Sequence, residues 1–217
     1  MNTYLYGASG HGKVVKDILN ANGIKVEAFI DDNLDVDKCG GKPVLHDATG
    51  LSPIIVSVGV NCVRKMIVER ITVGNPTIEF ATAIHPSAIV SPSAKIGEGT
   101  VVMAGVVINA DAKIGKHCIV NTGTSIDHEC VVENYCHIAP GVNISGDTHV
   151  GEGTWVGVGS CVMQGIKIGK NCMIGAGSVV VRLRVVLAGF FCSCSIIWRH
   201  SSSVSSAALS ACALGIL

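Results

Sequence analysis

Two neighbouring side chains, His128 and Glu129, have the chemical character needed for proton transfer. An imidazole titrates near neutral pH, so it can accept a proton from a reacting group and return it later. A carboxylate beside it would favour the imidazolium ion that forms in between. An exposed histidine next to a glutamate is, however, often only a pair of solvated groups. The elements around the pair must decide between these two interpretations.

A second set of candidate residues lies in a glycine-rich run near the amino terminus. The run Gly7-Ala8-Ser9-Gly10-His11-Gly12 follows a predicted strand, residues 4–6, and precedes a predicted helix, residues 13–20. The order of strand, glycine loop and helix is that of a nucleotide-binding βα turn. The glycine spacing departs from the usual GxGxxG pattern, and a tight structural turn would explain it equally well.

The next two predicted strands end in residues that suit the same site. The strand at 26–30 ends in Asp31 and Asp32, where a Rossmann-type site places a carboxylate on a ribose hydroxyl. The strand at 54–58 ends in Gly59. Ligands of such sheets lie at the carboxyl ends of the strands. Residues 1–80 are therefore predicted to form a Rossmann-like α/β domain that binds a nucleotide-sugar.

From residue 84 onward the sequence repeats every six residues. Seventeen successive positions, each six residues apart, are isoleucine or valine. They are Ile84, Val90, Ile96, Val102, Ile108, Ile114, Val120, Ile126, Val132, Ile138, Ile144, Val150, Val156, Val162, Ile168, Ile174 and Val180. From Ala88 onward, the residue two positions before each of these isoleucines or valines has a small or medium-sized side chain, except for the bulky Ile166. This pattern predicts a hexapeptide β-helix, in which each short strand directs one aliphatic side chain into a narrow core.

A second period shows how the strands close into a coil. Two series of glycines recur every eighteen residues. They are Gly105, Gly123, Gly141, Gly159 and Gly177, and Gly97, Gly115, Gly151 and Gly169, with Glu133 interrupting the second series. Three hexads therefore make one turn of a triangular prism, whose corners require a positive φ or a close backbone approach. Residues 81–182 are predicted to form this parallel β-helix.

Composition and cysteine positions exclude several classes of protein. Sixteen basic and sixteen acidic residues among 217 give zero net charge, which favours neither nucleic acid nor an anionic membrane surface as a partner. The ten cysteines follow no apolar signal segment, which favours the reducing cytoplasm. Four of them, Cys118, Cys130, Cys136 and Cys172, occupy the small position of the repeat and are predicted to fill the core. We therefore predict no metal site.

Five motifs within this frame are similar to a known family. They are YGASGHG at 6–12, IDD at 30–32, IHPSAIVSPSA at 84–94, NTGTSIDHEC at 121–130 and HIAPG at 137–141. Together they resemble the bacterial sugar acetyltransferases that include sialic acid O-acetyltransferases and UDP-4-amino-sugar N-acetyltransferases (NeuD and PglD types). The resemblance covers about residues 3–182. It implies a left-handed β-helix, acetyl-CoA as co-substrate, and a homotrimer with each active site between two prisms.

The resemblance also implies roles for individual residues. His128 would be the catalytic base and Glu129 the acid that orients it, while His137 would contact acetyl-CoA. The backbone N–H of Gly146, one coil above His128, would stabilise the developing oxyanion, and the lack of a side chain there would leave room for substrate. The pantetheine path would be lined by Val158, Met163 and Ala176. The sugar or nucleotide would contact Ser9, Gly10, His11, Asp31, Asp32 and Gly59.

Three functional hypotheses remain open from the sequence. The leading one is acetylation of the amine of a UDP-4-amino-sugar, and the second is acetylation of a sialic acid hydroxyl. The third, from another class, is a β-helix that only binds or scaffolds. Residues 183–217 depart from the family: they contain no acid, are rich in serine and alanine, and are predicted to be an atypical tail produced by a frame shift. The apolar stretch in this tail is too short for a membrane span, so no membrane insertion is expected.

Overall fold

A computed structural model describes residues 2–181 of the chain. The tail predicted to be atypical, residues 183–217, lies outside the described residues. A five-stranded sheet with two helices is followed by three parallel sheets that together form a β-helix. This confirms the predicted fold class, an α/β domain followed by a parallel β-helix. No helix between residues 2 and 181 is both long enough and apolar enough to span a bilayer.

The amino-terminal unit is a mixed sheet flanked by two helices. Its helices are α1 (Gly10–Ala21) and α2 (Asn61–Gly74). Its strands are β1 (Asn2–Tyr6), β2 (Lys25–Ile30), β3 (Lys38–Cys39), β4 (Lys42–Leu45) and β5 (Ile54–Val56), in the order β3-β4-β2-β1-β5. All neighbouring strands are parallel except β3, which pairs antiparallel with β4 at one edge.

Helix α1 begins three residues earlier than the sequence predicts, inside the glycine run. Ser9 is its N-cap, and the Ser9 side chain accepts a hydrogen bond from the backbone N–H of Gly12. Gly12 cannot carry a side chain, because a Cβ there would collide with the carbonyl oxygen of Gly7. The glycine run is therefore the place where the helix passes closely over the end of β1.

Seventeen two-residue strands form the three faces of the β-helix. Face 1 consists of β6 (Ala83–Ile84), β9 (Val101–Val102), β12 (Ile119–Val120), β15 (His137–Ile138), β18 (Trp155–Val156) and β21 (Met173–Ile174). Face 2 consists of β7 (Ile89–Val90), β10 (Val107–Ile108), β13 (Ser125–Ile126), β16 (Asn143–Ile144), β19 (Cys161–Val162) and β22 (Val179–Val180). Face 3 consists of β8 (Lys95–Ile96), β11 (Lys113–Ile114), β14 (Val131–Val132), β17 (His149–Val150) and β20 (Lys167–Ile168).

Partners in these sheets are eighteen residues apart, as Ser125 and Asn143 are, which confirms the predicted coil length. The second residue of every strand is the predicted isoleucine or valine, and from Val102 onward all of them are buried in one core. Cys118, Cys130 and Cys136 are fully buried in this core, as predicted. We call the turns between successive faces corner 1–2, corner 2–3 and corner 3–1.

The two glycine series have different physical causes. Glycines of the first series, such as Gly123 with φ of 67°, take the left-handed conformation at corner 1–2. Glycines of the second series lie at corner 3–1, where the backbones of successive coils approach closely. A Cβ on Gly97 would lie 2.6 Å from the carbonyl carbon of Gly115. Both predicted reasons for glycine are therefore confirmed, each in one series.

The amino-terminal unit packs on face 1 and on corner 3–1. Val15 and Leu19 of α1 share a buried cluster with Val101 and Ile119, which project outward from face 1. Helix α2 lies over corner 3–1, where Lys65 forms an ion pair with Glu152 at 2.6 Å. This packing leaves corner 2–3, on the opposite side of the prism, uncovered by the amino-terminal unit.

Candidate active site

His128 and Glu129 lie at corner 2–3, directly after β13. The Nδ1 atom of His128 is 3.2 Å from Oε2 of Glu129, and both side chains are more than half exposed. Glu129 has a φ of 58°, in the left-handed region that costs a non-glycine residue about 1 to 2 kcal/mol. Glycine occupies the equivalent position two coils above, at Gly165, with φ of 70°. Asp111 and Asp147, one coil below and one coil above, share this conformation with φ of 60° and 52°, so it belongs to this corner position and does not by itself mark Glu129 as functional.

The imidazole of His128 lies against the backbone of Gly146. A Cβ on Gly146 would be 2.6 Å from Cε1 and 2.7 Å from Nε2 of the ring, so Gly146 is buried beneath the ring although it lies at a corner. The sequence led us to expect the space above Gly146 to be open for substrate. In the structure the imidazole occupies that space, and a side chain at position 146 would displace the catalytic candidate itself.

A network of polar side chains supports the loop that carries His128. The backbone N–H of His128 donates to Oδ1 of Asp127 at 2.8 Å, and the same oxygen accepts from Nδ2 of Asn109, one coil below, at 2.8 Å. The hydrogen bond from Asn109, followed by the bond from the His128 backbone, lowers the pKa of Asp127 below its usual value. We did not predict Asn109 and Asp127 from the sequence, although their eighteen-residue spacing was a usable signal.

The backbone N–H of Gly146 has the character of an oxyanion donor. Among residues 2–181 no group accepts a hydrogen bond from it, whereas its carbonyl accepts from Gly165 N at 3.0 Å. The Nε2 edge of the His128 ring lies over the same residue. A proton acceptor and a free N–H donor therefore lie side by side at corner 2–3.

His137 occupies a different environment, on face 1. Its ring is buried, stacks on Trp155 with ring centroids 4.3 Å apart, and has Nε2 3.1 Å from Nδ2 of Asn121. Nδ1 of His137 is 3.3 Å from the carbonyl oxygen of Gly59, in the loop after β5. Burial lowers the pKa of His137 to about 4, and the nearby charge of Arg64 adds to the effect. His137 therefore belongs to the junction between the β-helix and the amino-terminal unit.

His128 and His137 lie on opposite sides of one prism. They are nine residues apart in the sequence, and a full coil takes eighteen residues. Corner 2–3, which carries His128, faces away from face 1, which carries His137. One chain therefore brings His128, Glu129 and Gly146 together, and brings His137 together with the loops of the amino-terminal unit, but does not join the two groups.

The predicted nucleotide loops meet at the carboxyl ends of β1, β2 and β5. Oδ2 of Asp31 accepts from the backbone N–H of Ala8 at 2.7 Å, which ties the glycine run to the loop after β2. Ser9 and Gly10 are exposed at the N-terminus of α1. Gly59, with no neighbour within 4 Å of its Cβ position, borders the same loops. The backbone N–H groups at this end of the sheet could therefore receive a diphosphate.

Asp32 is less available than the sequence suggests. Oδ1 of Asp32 accepts from the hydroxyl of Tyr6 at 2.5 Å, and Nη2 of Arg70 lies 2.8 Å from Oδ2. Burial alone would raise the pKa of Asp32, but the hydrogen bonds from Tyr6 and Arg70 outweigh it and lower the pKa. Arg70 also contacts the Tyr6 hydroxyl. A ribose hydroxyl would have to share this carboxylate with both side chains, neither of which we predicted.

His11 points into the junction rather than outward with the glycine run. Its Nε2 atom is buried and has no hydrogen-bond partner among the described residues. Burial, followed by the charge of Arg64, lowers the pKa of His11 to about 4. The buried Nε2 of His11 is therefore not accessible to a ligand bound at the exposed start of α1, contrary to the predicted contact.

The three residues predicted along the pantetheine path lie on two corners. Val158 and Ala176 occupy corner 1–2 on successive coils, and both are exposed. Met163 is at corner 2–3, immediately above Ser145, and is 53% exposed. Exposed aliphatic side chains along an edge of the prism could pack against the pantetheine chain. Of the three residues, only Met163 lies on the same corner as His128. Among residues 2–181 no cluster of three or more His, Cys, Asp or Glu side chains could hold a metal ion.

The fold and the site together define a hexapeptide-repeat transferase. Models of two families match the chain: the PglD N-terminal domain over residues 2–71, and the bacterial transferase hexapeptide (six repeats) over residues 147–182. The crystal structure of a perosamine N-acetyltransferase variant from Caulobacter crescentus, in complex with CoA and GDP-perosamine, is 40% identical, with a TM-score of 0.79. The match covers 84% of this chain and 89% of that one. The chain belongs to the PglD-type sugar N-acetyltransferase family with hexapeptide repeats.

Two further relatives are similar over different lengths. The acetyltransferase domain of PglB from Neisseria gonorrhoeae, in complex with acetyl coenzyme A, is 37% identical, with a TM-score of 0.76, over 82% of this chain and 92% of that one. The UDP-N-acetylbacillosamine N-acetyltransferase of Bacillus subtilis is 42% identical over 113 residues, or 48% of this chain. That alignment spans about half of the curated relative, 51% of its length.

Proposed function

We propose that this chain transfers the acetyl group of acetyl-CoA to the amine of a nucleotide-linked 4-amino-sugar. The observation that carries the proposal is the imidazole of His128, paired with Glu129 and seated over Gly146 beside its free N–H. The similar proteins support the choice of an amine, since the perosamine enzyme was crystallised with CoA and GDP-perosamine.

In the proposed mechanism His128 and Glu129 carry the proton-transfer steps. The sugar ammonium first loses one proton to solvent, and its nitrogen then attacks the thioester carbonyl. Nε2 of His128 takes the second nitrogen proton, while Glu129 stabilises the imidazolium at Nδ1. The N–H of Gly146 stabilises the oxyanion. When the C–S bond breaks, the imidazolium returns its proton to the thiolate, so amide and CoA leave and His128 is neutral again.

The proposal includes a homotrimer whose active sites lie between neighbouring prisms. The proposal is supported by the positions of the candidate residues: His128 lies on the side of the prism opposite His137 and the nucleotide loops. A second subunit could bring its own His137 and nucleotide loops next to His128. One subunit would present corner 2–3, and its neighbour would present His137 with the bound sugar. A cytoplasmic location is also part of the proposal, because the unpaired core thiols of Cys118 and Cys136 suit a reducing compartment.

The catalytic part is tested by measuring CoA formation with UDP- and GDP-linked 4-amino-sugars and with sialic acid. The product is quantified by chromatography, because the exposed Cys62 and Cys161 would react with a thiol reagent. We expect His128→Ala to lower kcat by a factor of about 1000. The matched control is His149→Ala, because His149 also pairs with a glutamate, Glu133, at 2.8 Å.

Equal rates for the parent and His128→Ala would contradict the assignment of the base. Activity with sialic acid alone would replace the amine by a hydroxyl as the acceptor, and no activity with any acceptor would favour a binding protein. The shared site is tested by mixing two inactive variants, His128→Ala and His137→Ala, under conditions where trimers re-form. If each active site takes His128 from one subunit and His137 from its neighbour, about a quarter of the sites in randomly mixed trimers have both residues intact. If each site lies within one subunit, no site has both.

A further inference from the structure

The guanidinium of Arg64 is buried at the junction between the amino-terminal unit and the β-helix. Arg64 lies in the first turn of α2 and is 1% exposed. No carboxylate among the described residues bonds to it, and six oxygens accept its hydrogen bonds instead. They belong to His117 (2.8 Å), Val58 (2.9 Å), Gly59 (3.1 Å), Asn61 (2.8 Å), Tyr135 (2.9 Å) and Cys136 (3.3 Å). A buried charge requires such complete hydrogen bonding.

Arg64 and Asn61 together contact the same point of three successive coils. Nε of Arg64 donates to His117 O and Nη2 to Tyr135 O, while Nδ2 of Asn61 donates to Gly153 O at 2.9 Å. These three acceptor residues are eighteen apart at corner 3–1 and have positive φ values of 53°, 59° and 69°. These hydrogen bonds fix the position of the start of α2 along the axis of the β-helix and its orientation around that axis.

The same guanidinium controls the loop that contacts His137. The carbonyl oxygen of Gly59 accepts from Nη1 of Arg64 and lies 3.3 Å from Nδ1 of His137. A carbonyl can only accept, so Nδ1 of His137 carries the hydrogen. Nε2 is then left to accept from the amide of Asn121. The geometry thus requires a neutral His137 of one tautomer.

The charged and titratable groups around His137 favour the same protonation state. Arg64 approaches it from α2 and His11 from α1, while the neighbours on face 1 are the uncharged Asn121 and Trp155. Burial is the largest cause of the lowered pKa of His137, about 4, and the charge of Arg64 lowers it further, while the hydrogen bond to the Gly59 carbonyl raises it. None of these neighbours is an acid that could stabilise an imidazolium.

We propose that Arg64 is a positioning residue: it holds the Gly59 loop at a fixed distance from His137, so that the nucleotide-sugar reaches the reacting centre in one orientation. The statement about substrate rests on the proposed function. The statement about the loop and His137 does not, and it can be tested without any catalytic activity.

The test compares Arg64→Met and Arg64→Lys with the control Lys65→Met, all in the full chain. Lys65 is the next residue of α2 and contacts the same corner through Glu152, but its side chain is 43% exposed and an ion pair of this kind contributes less than about 1 kcal/mol. For each variant we would measure KM for the nucleotide-sugar and for acetyl-CoA, and the titration of His137 by NMR, assigned with His137→Gln.

For Arg64→Met we expect KM for the nucleotide-sugar to rise about tenfold or more, and KM for acetyl-CoA to rise as well, because the resemblance places His137 against acetyl-CoA. The midpoint of the His137 titration should rise, because the nearby positive charge is removed, although burial, the larger cause of the lowered pKa, remains. Arg64→Lys retains the charge but not the six-fold bonding, so it should raise the sugar KM without moving the titration. Lys65→Met should match the parent in all three measurements.

The proposal would be overturned if Arg64→Met had the same KM for the nucleotide-sugar and the same midpoint of the His137 titration as the parent. If Arg64→Met does not fold, Arg64→Lys decides: an unchanged sugar KM overturns the positioning role. If the parent itself shows no transferase activity, the proposed function fails. The His137 titrations of the parent and of Arg64→Met then still decide whether Arg64 controls the junction.

Discussion

The substitution Gly146→Ala tests whether the position of the His128 ring matters for catalysis. The new Cβ would lie 2.6 Å from Cε1 of His128, and ordinary contact begins at 3.4 Å, so the ring must move by at least the difference, 0.8 Å. A misplacement of about 1 Å costs on the order of 100-fold in rate. The N–H of residue 146 is retained, so the oxyanion donor itself is unchanged.

The same substitution should have little effect on stability. Gly146 is not in the left-handed region, so its backbone accepts alanine, which stabilises a compatible site by about 0.4 to 1 kcal/mol. Turning the His128 ring off its preferred rotamer costs about 0.5 to 1.5 kcal/mol. These changes nearly cancel, so the free energy of unfolding should stay within about 1 kcal/mol of the parent while kcat falls.

The assay is kcat at saturating acetyl-CoA, together with urea denaturation. Gly74→Ala is the control, because a Cβ at the end of α2 has no neighbour within 4 Å and kcat should be unaffected. In a His128→Ala background, Gly146→Ala should cause no further loss, since the ring that it displaces is gone. A Gly146→Ala enzyme with kcat within about threefold of the parent would refute the importance of this ring position.

Three further predictions concern charge. Glu129→Gln should lower kcat about tenfold or more while KM for acetyl-CoA stays near the parent value, because the amide cannot stabilise the imidazolium; equal kcat values would contradict this. Arg70→Met should lower the free energy of unfolding, measured by urea titration, by less than about 1 kcal/mol, because the side chains of Arg70 and Asp32 are 54% and 57% exposed. A larger loss would contradict this expectation. Burial lowers the pKa values of His117 and His137 to about 4, so the unfolded chain binds more protons between about pH 6.5 and pH 4. Stability should therefore be complete above this window and fall as the pH drops through it, and a melting temperature constant from pH 7 to 4.5 would contradict it.

The β-helix could be predicted from the sequence almost residue by residue. Every coil places a small aliphatic side chain into the same narrow core, so the size limit that applies to Val120 also applies to Ile138 and Val156. The pairing partner of each strand is always eighteen residues away, so the repeat also predicts which strands are in contact. In the amino-terminal unit β1, α1, β2 and β5 were predicted with ends displaced by up to three residues, because capping by Ser9 and pairing at strand ends depend on detailed geometry. Strands β3 and β4 and helix α2 were not predicted.

The candidate site was predicted only in part. The pair of His128 and Glu129 is local and could be found from the motif, but the contact between the ring and Gly146 was expected to be open space. Arg64 was missed because helix α2, which carries it, was not predicted, and because an arginine is rarely fully buried. Its acceptors at His117 and Tyr135 lie 53 and 71 residues further along the chain. No local pattern carries contacts at such separations.

The coil, the register of its core and the chemical character of corner 2–3 can be read from the amino-acid sequence, because these depend on repeats no longer than eighteen residues. Which surfaces the amino-terminal unit covers is known only from the folded structure. That packing buries Arg64 and the ring of His137, and it leaves His128 on the far side of the prism. The physical reason is that the docking of two units depends on the shape and hydrogen bonding of surfaces assembled from distant segments, and these surfaces exist only after each unit has folded.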